Sequence, residues 1–253
     1  MTTEPTLTES GPATGRPVLV LHGGGGPLTV APLAAHLAAH AHTLLPTHPG
    51  WNGTPRPAGL TRVADLAAAY LRLLRDRDLS DVLVVGSSLG GWIAAELAAA
   101  DTEGRISGVV LLDAVGIDVE GEPVRDFIAL DARGVAEYAY HDPERFYVDP
   151  ATLPAERLAA IQANMATLRV FSGGPAMSDP GLRARLADIT VPTLVLWGES
   201  DRICTPAYGK EYAASLGNGR FAVVAEAGHL PHLEQPARTL ALVDAFAAET
   251  ARR

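Results

Sequence analysis

The sequence predicts an α/β fold: a mostly parallel, doubly wound sheet with helices on both faces and a helical segment inserted late in the chain. Three observations carry this. Short, continuous apolar runs such as Val18-Leu19-Val20-Leu21 and Val82-Leu83-Val84-Val85 are of the type buried on both faces of a parallel sheet. They alternate with segments whose apolar residues recur at helical spacing, the order that parallel crossovers require. Between residues 115 and 187 the alternation stops: no strand is legible, and Pro and Gly interrupt a set of helical stretches. The chain thus divides into a core of residues 1–114 and 188–253 and a helical cap insertion of residues 115–187.

Residues 1–16 are mostly Thr, Glu, Pro and Gly and hold at most a short edge strand near Thr6–Glu9. Val18–Leu21 is the first buried strand, and it breaks at His22-Gly23-Gly24-Gly25-Gly26-Pro27. A helix is expected over Val30–Ala41, then a short strand at Thr43–Leu45 and a loop through Trp51–Pro57. Val63, Leu66, Ala67, Tyr70, Leu71 and Leu74 share one face of a helix over Thr61–Asp76, with Thr61 as its N-cap. Val82–Val85 is a strand, Trp92–Ala98 a helix and Ile106–Leu112 a strand. In the insertion, helices are expected over Glu122–Ala139, Pro154–Phe171 and Pro180–Ala187. Strands at Val191–Trp197 and Arg220–Val224 flank a helix near Pro206–Leu216, and Glu234–Thr250 closes the chain as an amphipathic helix.

Composition narrows the function classes. With 253 residues and 47% hydrophobic content the chain can bury a large core. A net charge of -9 and a single lysine, Lys210, are the opposite of a nucleic-acid footprint. No apolar run reaches the length of a membrane span, and the polar start carries no basic leader. One cysteine, Cys204, rules out an internal disulfide and suits a reducing compartment, so a cytoplasmic location is expected. A homodimer is left open.

The stretch with the most chemical content is Gly86-Ser87-Ser88-Leu89-Gly90, between a strand and a helix. G-x-S-x-G in that context is the pattern of a nucleophile elbow, a turn so tight that only glycine fits two residues before and after the serine. Ligands of an open parallel sheet bind at the carboxyl ends of its strands, so functional groups should follow apolar runs. They do: His22-Gly23-Gly24, then Ser88, then Gly198-Glu199-Ser200-Asp201, then Ala227-Gly228-His229. A serine, an acid and a histidine at three strand ends can form a charge-assisted chain in which imidazole removes the serine proton during attack.

The chain resembles the α/β-hydrolase superfamily in its capped, esterase-like branch over nearly its whole length. The resemblance rests on His22-Gly23-Gly24, Gly86-Ser87-Ser88-Leu89-Gly90-Gly91, Trp197-Gly198-Glu199-Ser200-Asp201 and Gly228-His229…Glu234-Gln235-Pro236. It implies Ser88 as nucleophile, Asp201 as acid and His229 as base, with the backbone N–H groups of Gly24 and Leu89 as the oxyanion hole. It also implies an acyl-enzyme route for a small-molecule substrate, an apolar carboxylic ester of unspecified chain length, with no cofactor and no metal. Meta-cleavage-product C–C hydrolases resemble the chain in His22-Gly23-Gly24-Gly25 and Pro49-Gly50-Trp51-Asn52. They typically have Asn where Ser87 stands and Trp where Leu230 stands. Hydroxynitrile lyases share the three residues, whereas epoxide hydrolases and haloalkane dehalogenases place an Asp at the elbow. A non-catalytic small-molecule-binding protein on the same fold is the rival of another class.

Competing residues have plainer readings. Asp113 also ends a strand, as a loop-capping carboxylate or an alternative acid, and His232 rivals His229. Glu199 reads as a solvated neighbour and His22 as a structural histidine beside the oxyanion loop. His36, His40 and His42 have metal-like spacing but sit on an outer amphipathic helix with no ligating partner nearby in sequence. Cys204 reads as a buried, inert thiol. Phe127, Phe146, Met165 and Phe171 of the insertion are the candidates to line a substrate pocket.

Overall fold

A computed structural model describes residues 5–251. The core elements are β1 (Thr6–Ser10), β2 (Pro17–Leu21), α1 (Ala31–Leu37), β3 (His42–Thr47), α2 (Val63–Asp76), β4 (Val82–Ser87), α3 (Leu89–Ala100) and β5 (Ile106–Leu112). The insertion contributes α4 (Ala132–Ala139), α5 (Pro143–Phe146), α6 (Ala155–Phe171) and α7 (Leu182–Leu186). The core resumes with β6 (Thr193–Gly198), α8 (Pro206–Ser215), β7 (Gly219–Val224), α9 (Pro231–Glu234) and α10 (Pro236–Thr250). The strands form one sheet in the order β1-β3-β2-β4-β5-β6-β7. Only β1 is antiparallel, pairing with β3 along one edge.

Alternating side chains of the central strands feed two cores, one on each face. Leu19, Leu21, Val84, Leu111, Val195 and Trp197 pack with α2, α3, α7 and α8 on one side. Val18, Val20, Leu83, Val85, Val110, Leu112 and Leu196 pack with α1 and α10 on the other. Every residue of β4 and β5 is buried, which is why those runs carry no polar alternation. No helix among the described residues is long and apolar enough to cross a membrane.

Four expected boundaries need correction. The helix expected from Val30 to Ala41 ends at Leu37, because Ala39 and His40 close it with tight i→i+3 bonds to His36 and Leu37 before β3 begins. The first half of the helix expected over Glu122–Ala139 is a loop with a single 3-10 turn at Phe127–Ala129. Helix α4 starts only after Asp131, whose carboxylate caps it by accepting from Gly134 N–H. Thr61 caps nothing: α2 begins at Val63, with an extended Arg62 before it and no side-chain cap. The closing helix starts at Pro236 rather than Glu234, because Pro236 holds Gln235 in a non-helical conformation that separates α10 from the short α9 before it.

The segment between β5 and β6 adds no strand to the sheet. Its α4 and α6 border Ser88 at the carboxyl ends of the strands through Val135, Ala139 and Met165, whereas α7 packs beside α3 and α8. Asn164 of α6 accepts from Asn52 N–H at 2.8 Å and donates to the Asn52 side chain at 3.0 Å. Thr167 donates to Gly50 O at 2.9 Å, so α6 is fastened to the loop after β3.

Candidate active site

The turn from β4 to α3 is confined to one residue. Ser88 has φ 56° and ψ -118°, a strained conformation for any residue with a side chain. A Cβ on Gly86 would collide with the backbone of Gly90, and one on Gly90 would collide with the carbonyl of Leu21. Both glycines are therefore steric requirements of the turn. The Ser88 N–H is held by Leu112 O at 2.9 Å, and its side chain stands at the mouth of a cavity above the sheet.

Two other strand ends complete the cluster. The Ser88 hydroxyl lies 3.0 Å from His229 Nε2, and His229 Nδ1 lies 2.8 Å from Asp201 Oδ2. With Nδ1–H donating to the carboxylate, Nε2 is left as the acceptor of the serine proton. Asp201 is anchored in turn: its Oδ1 accepts from Ile203 N–H at 2.8 Å and Cys204 N–H at 3.2 Å. The His229 N–H donates to Ala139 O of α4 at 2.6 Å. The buried Glu234 carboxylate accepts from Gly228 N–H at 2.5 Å, and from His141 and Asp142 N–H at 2.9 and 3.2 Å. One carboxylate therefore joins the histidine loop to the inserted segment.

The glycine loop after β2 faces the same serine; a Cβ added to Gly23 would lie 3.7 Å from Ser88 Oγ. The N–H groups of Gly24 and Leu89 make no hydrogen bond among the described residues, and both residues border Ser88. The cavity measures about 210 Å³ and is bounded by Gly23–Gly25, Thr29, Phe127, Val135, Ala139, Tyr140, Met165, Ile203 and Leu230 around Ser88 and His229. Apart from the histidine, none of these side chains can carry a charge at neutral pH.

Of the four pocket candidates, Phe127 and Met165 border the cavity and two do not. Phe171 is buried against Trp51, ring centroids 5.6 Å apart, because six residues beyond Met165 the helix has turned to another face. Phe146 stacks on Tyr140 at 4.9 Å, one layer behind the wall. Val135, Ala139, Tyr140 and Ile203 were not anticipated. Small and mid-sized residues in broken helices carry no signal that separates a pocket wall from a core.

The competing residues fall elsewhere. Asp113 is wholly buried and caps the end of β6, its Oδ1 accepting from Gly198 N–H at 2.8 Å. Burial, reinforced by the charge of Asp201, holds its carboxyl well above the usual range. His232 donates to Thr29 O at 3.0 Å, away from the serine. Glu199 is exposed and accepts from Glu226 N–H. His36 pairs with Asp244 and His42 with Glu9, so the three spaced histidines do not converge. Asp201, Cys204 and His229 do bring a carboxylate, a thiol and an imidazole within 4.8 Å of one another. Burial, with Asp201 and Asp113, pushes the Cys204 thiol well above its ordinary value, so the sulfur keeps its proton and donates to Asp201 Oδ2 at 3.3 Å.

Residues 18–242 match the sequence model of the alpha/beta hydrolase family. The acetyltransferase component of the acetoin cleaving system of Cupriavidus necator is 30% identical over 240 residues, 86% of this chain; the chain spans only 60% of that relative's length. The 2-hydroxy-6-oxononadienedioate/2-hydroxy-6-oxononatrienedioate hydrolase of Cupriavidus pinatubonensis is 26% identical, covering 84% of this chain and 80% of the relative. Among solved structures, a thermophilic esterase from Thermogutta terrifontis superposes with a TM-score of 0.76 at 22% identity, over 98% of this chain and 94% of its own.

Proposed function

The chain belongs to the alpha/beta hydrolase family, and within it we propose a serine hydrolase that cleaves a small, uncharged carboxylic ester through an acyl-enzyme intermediate. The observation that carries this reading is the hydrogen-bonded run Ser88–His229–Asp201 at the mouth of an apolar cavity, beside two unengaged backbone N–H groups. In the proposed reaction His229 Nε2 takes the Ser88 proton as Oγ attacks the carbonyl carbon. Negative charge develops on the carbonyl oxygen, where the N–H groups of Gly24 and Leu89 receive it; one such donor is worth roughly 3 kcal/mol. The imidazolium then protonates the departing alcohol, and water, activated by the same ring, releases the acid.

The size and polarity of the cavity support the substrate class. About 210 Å³ lies below the roughly 300–1,000 Å³ of sites for drug-sized ligands. A dienedioate carries two carboxylates, and none of the described residues around this cavity offers a cation to receive one. The ester reading is therefore preferred over the C–C hydrolase reading. In the same proposal residues 115–187 act as a cap that closes the cavity over Ser88, and the buried thiol fits a reducing, cytoplasmic setting.

The test is turnover of p-nitrophenyl esters of graded acyl length, with fluorophosphonate labelling of the parent protein and of Ser88→Ala. Acetate and butyrate esters should be hydrolysed, and Ser88→Ala should lose both turnover and label. Full turnover by Ser88→Ala would defeat the proposal.

A further inference from the structure

Behind the glycine loop lies a buried aromatic relay that the proposed chemistry does not use directly. The Tyr70 hydroxyl sits 2.5 Å from His48 Nδ1, His48 Nε2 sits 3.0 Å from His22 O, and His48 N–H reaches His22 Nε2 at 3.1 Å. His22 Nδ1 is 2.7 Å from Gly23 O. The tautomers follow from the partners. Carbonyl oxygens only accept, so His48 carries its proton on Nε2 and its Nδ1 accepts a hydrogen bond from the Tyr70 hydroxyl. His22 Nε2 accepts a backbone N–H, so its proton is on Nδ1 and is donated to Gly23 O. Both imidazoles are wholly buried, with ring centroids 3.7 Å apart. Burial lowers the proton affinity of each, which agrees with two neutral rings.

The carbonyl of Gly23 and the N–H of Gly24 belong to one peptide unit. Because that unit is planar and trans, the two bonds point in opposite directions, and fixing the carbonyl aims the N–H. The next carbonyl, Gly24 O, is held by Trp51 Nε1–H at 2.8 Å. The loop has glycine at four consecutive positions, and the Gly26 N–H also donates to Gly23 O at 3.2 Å, so the His22 ring, at 2.7 Å, is the shorter of two contacts that hold this carbonyl.

We propose that Tyr70 and His48 are positioning residues for the oxyanion hole: through the carbonyl and ring of His22 they hold the Gly23–Gly24 peptide so that the Gly24 N–H faces the oxygen bound over Ser88. This rests on the serine-hydrolase reading and adds to it two side chains that never touch the substrate. Removing the Tyr70 hydroxyl leaves His48 Nδ1 without its donor, so one of the two contacts that fix the tilt of the ring toward His22 O is lost. The predicted loss falls on the transition state alone, so kcat should drop while KM holds.

The experiment compares the parent, Tyr70→Phe, His48→Leu and His48→Gln, with Ser88→Ala as the control. Each is assayed with p-nitrophenyl butyrate and with a trifluoromethyl ketone, which forms an oxyanion on the serine. Tyr70→Phe should lower kcat about 10-fold and His48→Leu about 100-fold, at or below the roughly 10²–10³-fold cost of losing an oxyanion donor outright, with KM within about twofold. Ketone affinity should fall in parallel. His48→Gln, which keeps an N–H near the Nε2 position, should recover most of the loss. Folded Tyr70→Phe with parental kcat and parental ketone affinity overturns the proposal; should His48→Leu fail to fold, Tyr70→Phe and His48→Gln decide it. If Ser88→Ala turns over like the parent, the serine-hydrolase reading falls and this proposal with it. If Ser88→Ala is inactive while Tyr70→Phe is unaffected, only the positioning role falls.

Discussion

One oxygen of Asp201 serves two donors: Oδ2 lies 2.8 Å from His229 Nδ1 and 3.3 Å from the Cys204 sulfur. A thiol is a weak donor, so it satisfies the carboxylate without drawing charge from the imidazole. A hydroxyl in its place would compete. Cys204→Ser should lower kcat about 3- to 10-fold, the range of one net hydrogen bond, while Cys204→Ala keeps kcat within about twofold and loses some thermal stability. Steady-state kinetics and melting curves on both variants check this.

Asp201 and Asp113 end neighbouring strands and invite confusion, yet they should respond oppositely to the same change. Asp201→Asn removes the charge that steadies the imidazolium and should cost on the order of 10⁴ in kcat. Burial disfavours the charged form of Asp113, and an asparagine oxygen can still accept from Gly198 N–H, so Asp113→Asn should stay within about threefold of the parent in kcat. A reversed ranking would reassign the acid.

The wall of the cavity should set chain length. Met165→Ala removes side-chain volume from the α6 side, whereas Val135→Phe fills it from the α4 side. The first should raise the hexanoate-to-acetate ratio of kcat/KM about 10-fold and the second should lower it by a similar factor, the scale of a methylene or two in an apolar pocket. An unchanged ratio in both would place the acyl chain elsewhere.

Acid should destabilise the fold through buried rings. Burial brings His48 and His232 down to about 4, and it lowers His22 as well. In the unfolded chain these rings take up protons near pH 6.5. The stability they contribute is whole above that pH, declines as pH falls from 6.5 to about 4, and changes little further below. For His48 and His232 the loss is on the order of 3 kcal/mol each. Tm should be flat from pH 8 to 7 and fall steeply between 6.5 and 4.5. His232→Gln, which keeps a donor for Thr29 O, should flatten that slope; an equally steep slope in the variant would refute the assignment.

The three strands that carry the site were legible because each is an apolar run followed closely by a functional group: Val82–Val85 before Ser88, the run through Trp197 before Asp201, Phe221–Val224 before His229. Placement of functional groups at strand ends needs no knowledge of side-chain packing. The insertion was read less well, since its helices are set by local caps such as Asp131 rather than by a long apolar stripe. Phe146 and Phe171 were misplaced because an aromatic residue looks the same in sequence whether it faces a cavity or backs one. The pairing of Tyr70 with His48 was invisible for another reason. Tyr70 fits the apolar stripe of α2, and nothing local says that its hydroxyl meets a histidine 22 positions away.

Glu234 grips the loop of the base with one oxygen and the start of the α4–α5 connection with the other, while Ala139 holds the His229 amide. The roof and the base therefore share a single latch. Any outward displacement of α4 would have to break these contacts or carry the loop that presents the imidazole with it. A molecule too bulky for α4 to keep its seat would then lie in the chamber with the ring out of line.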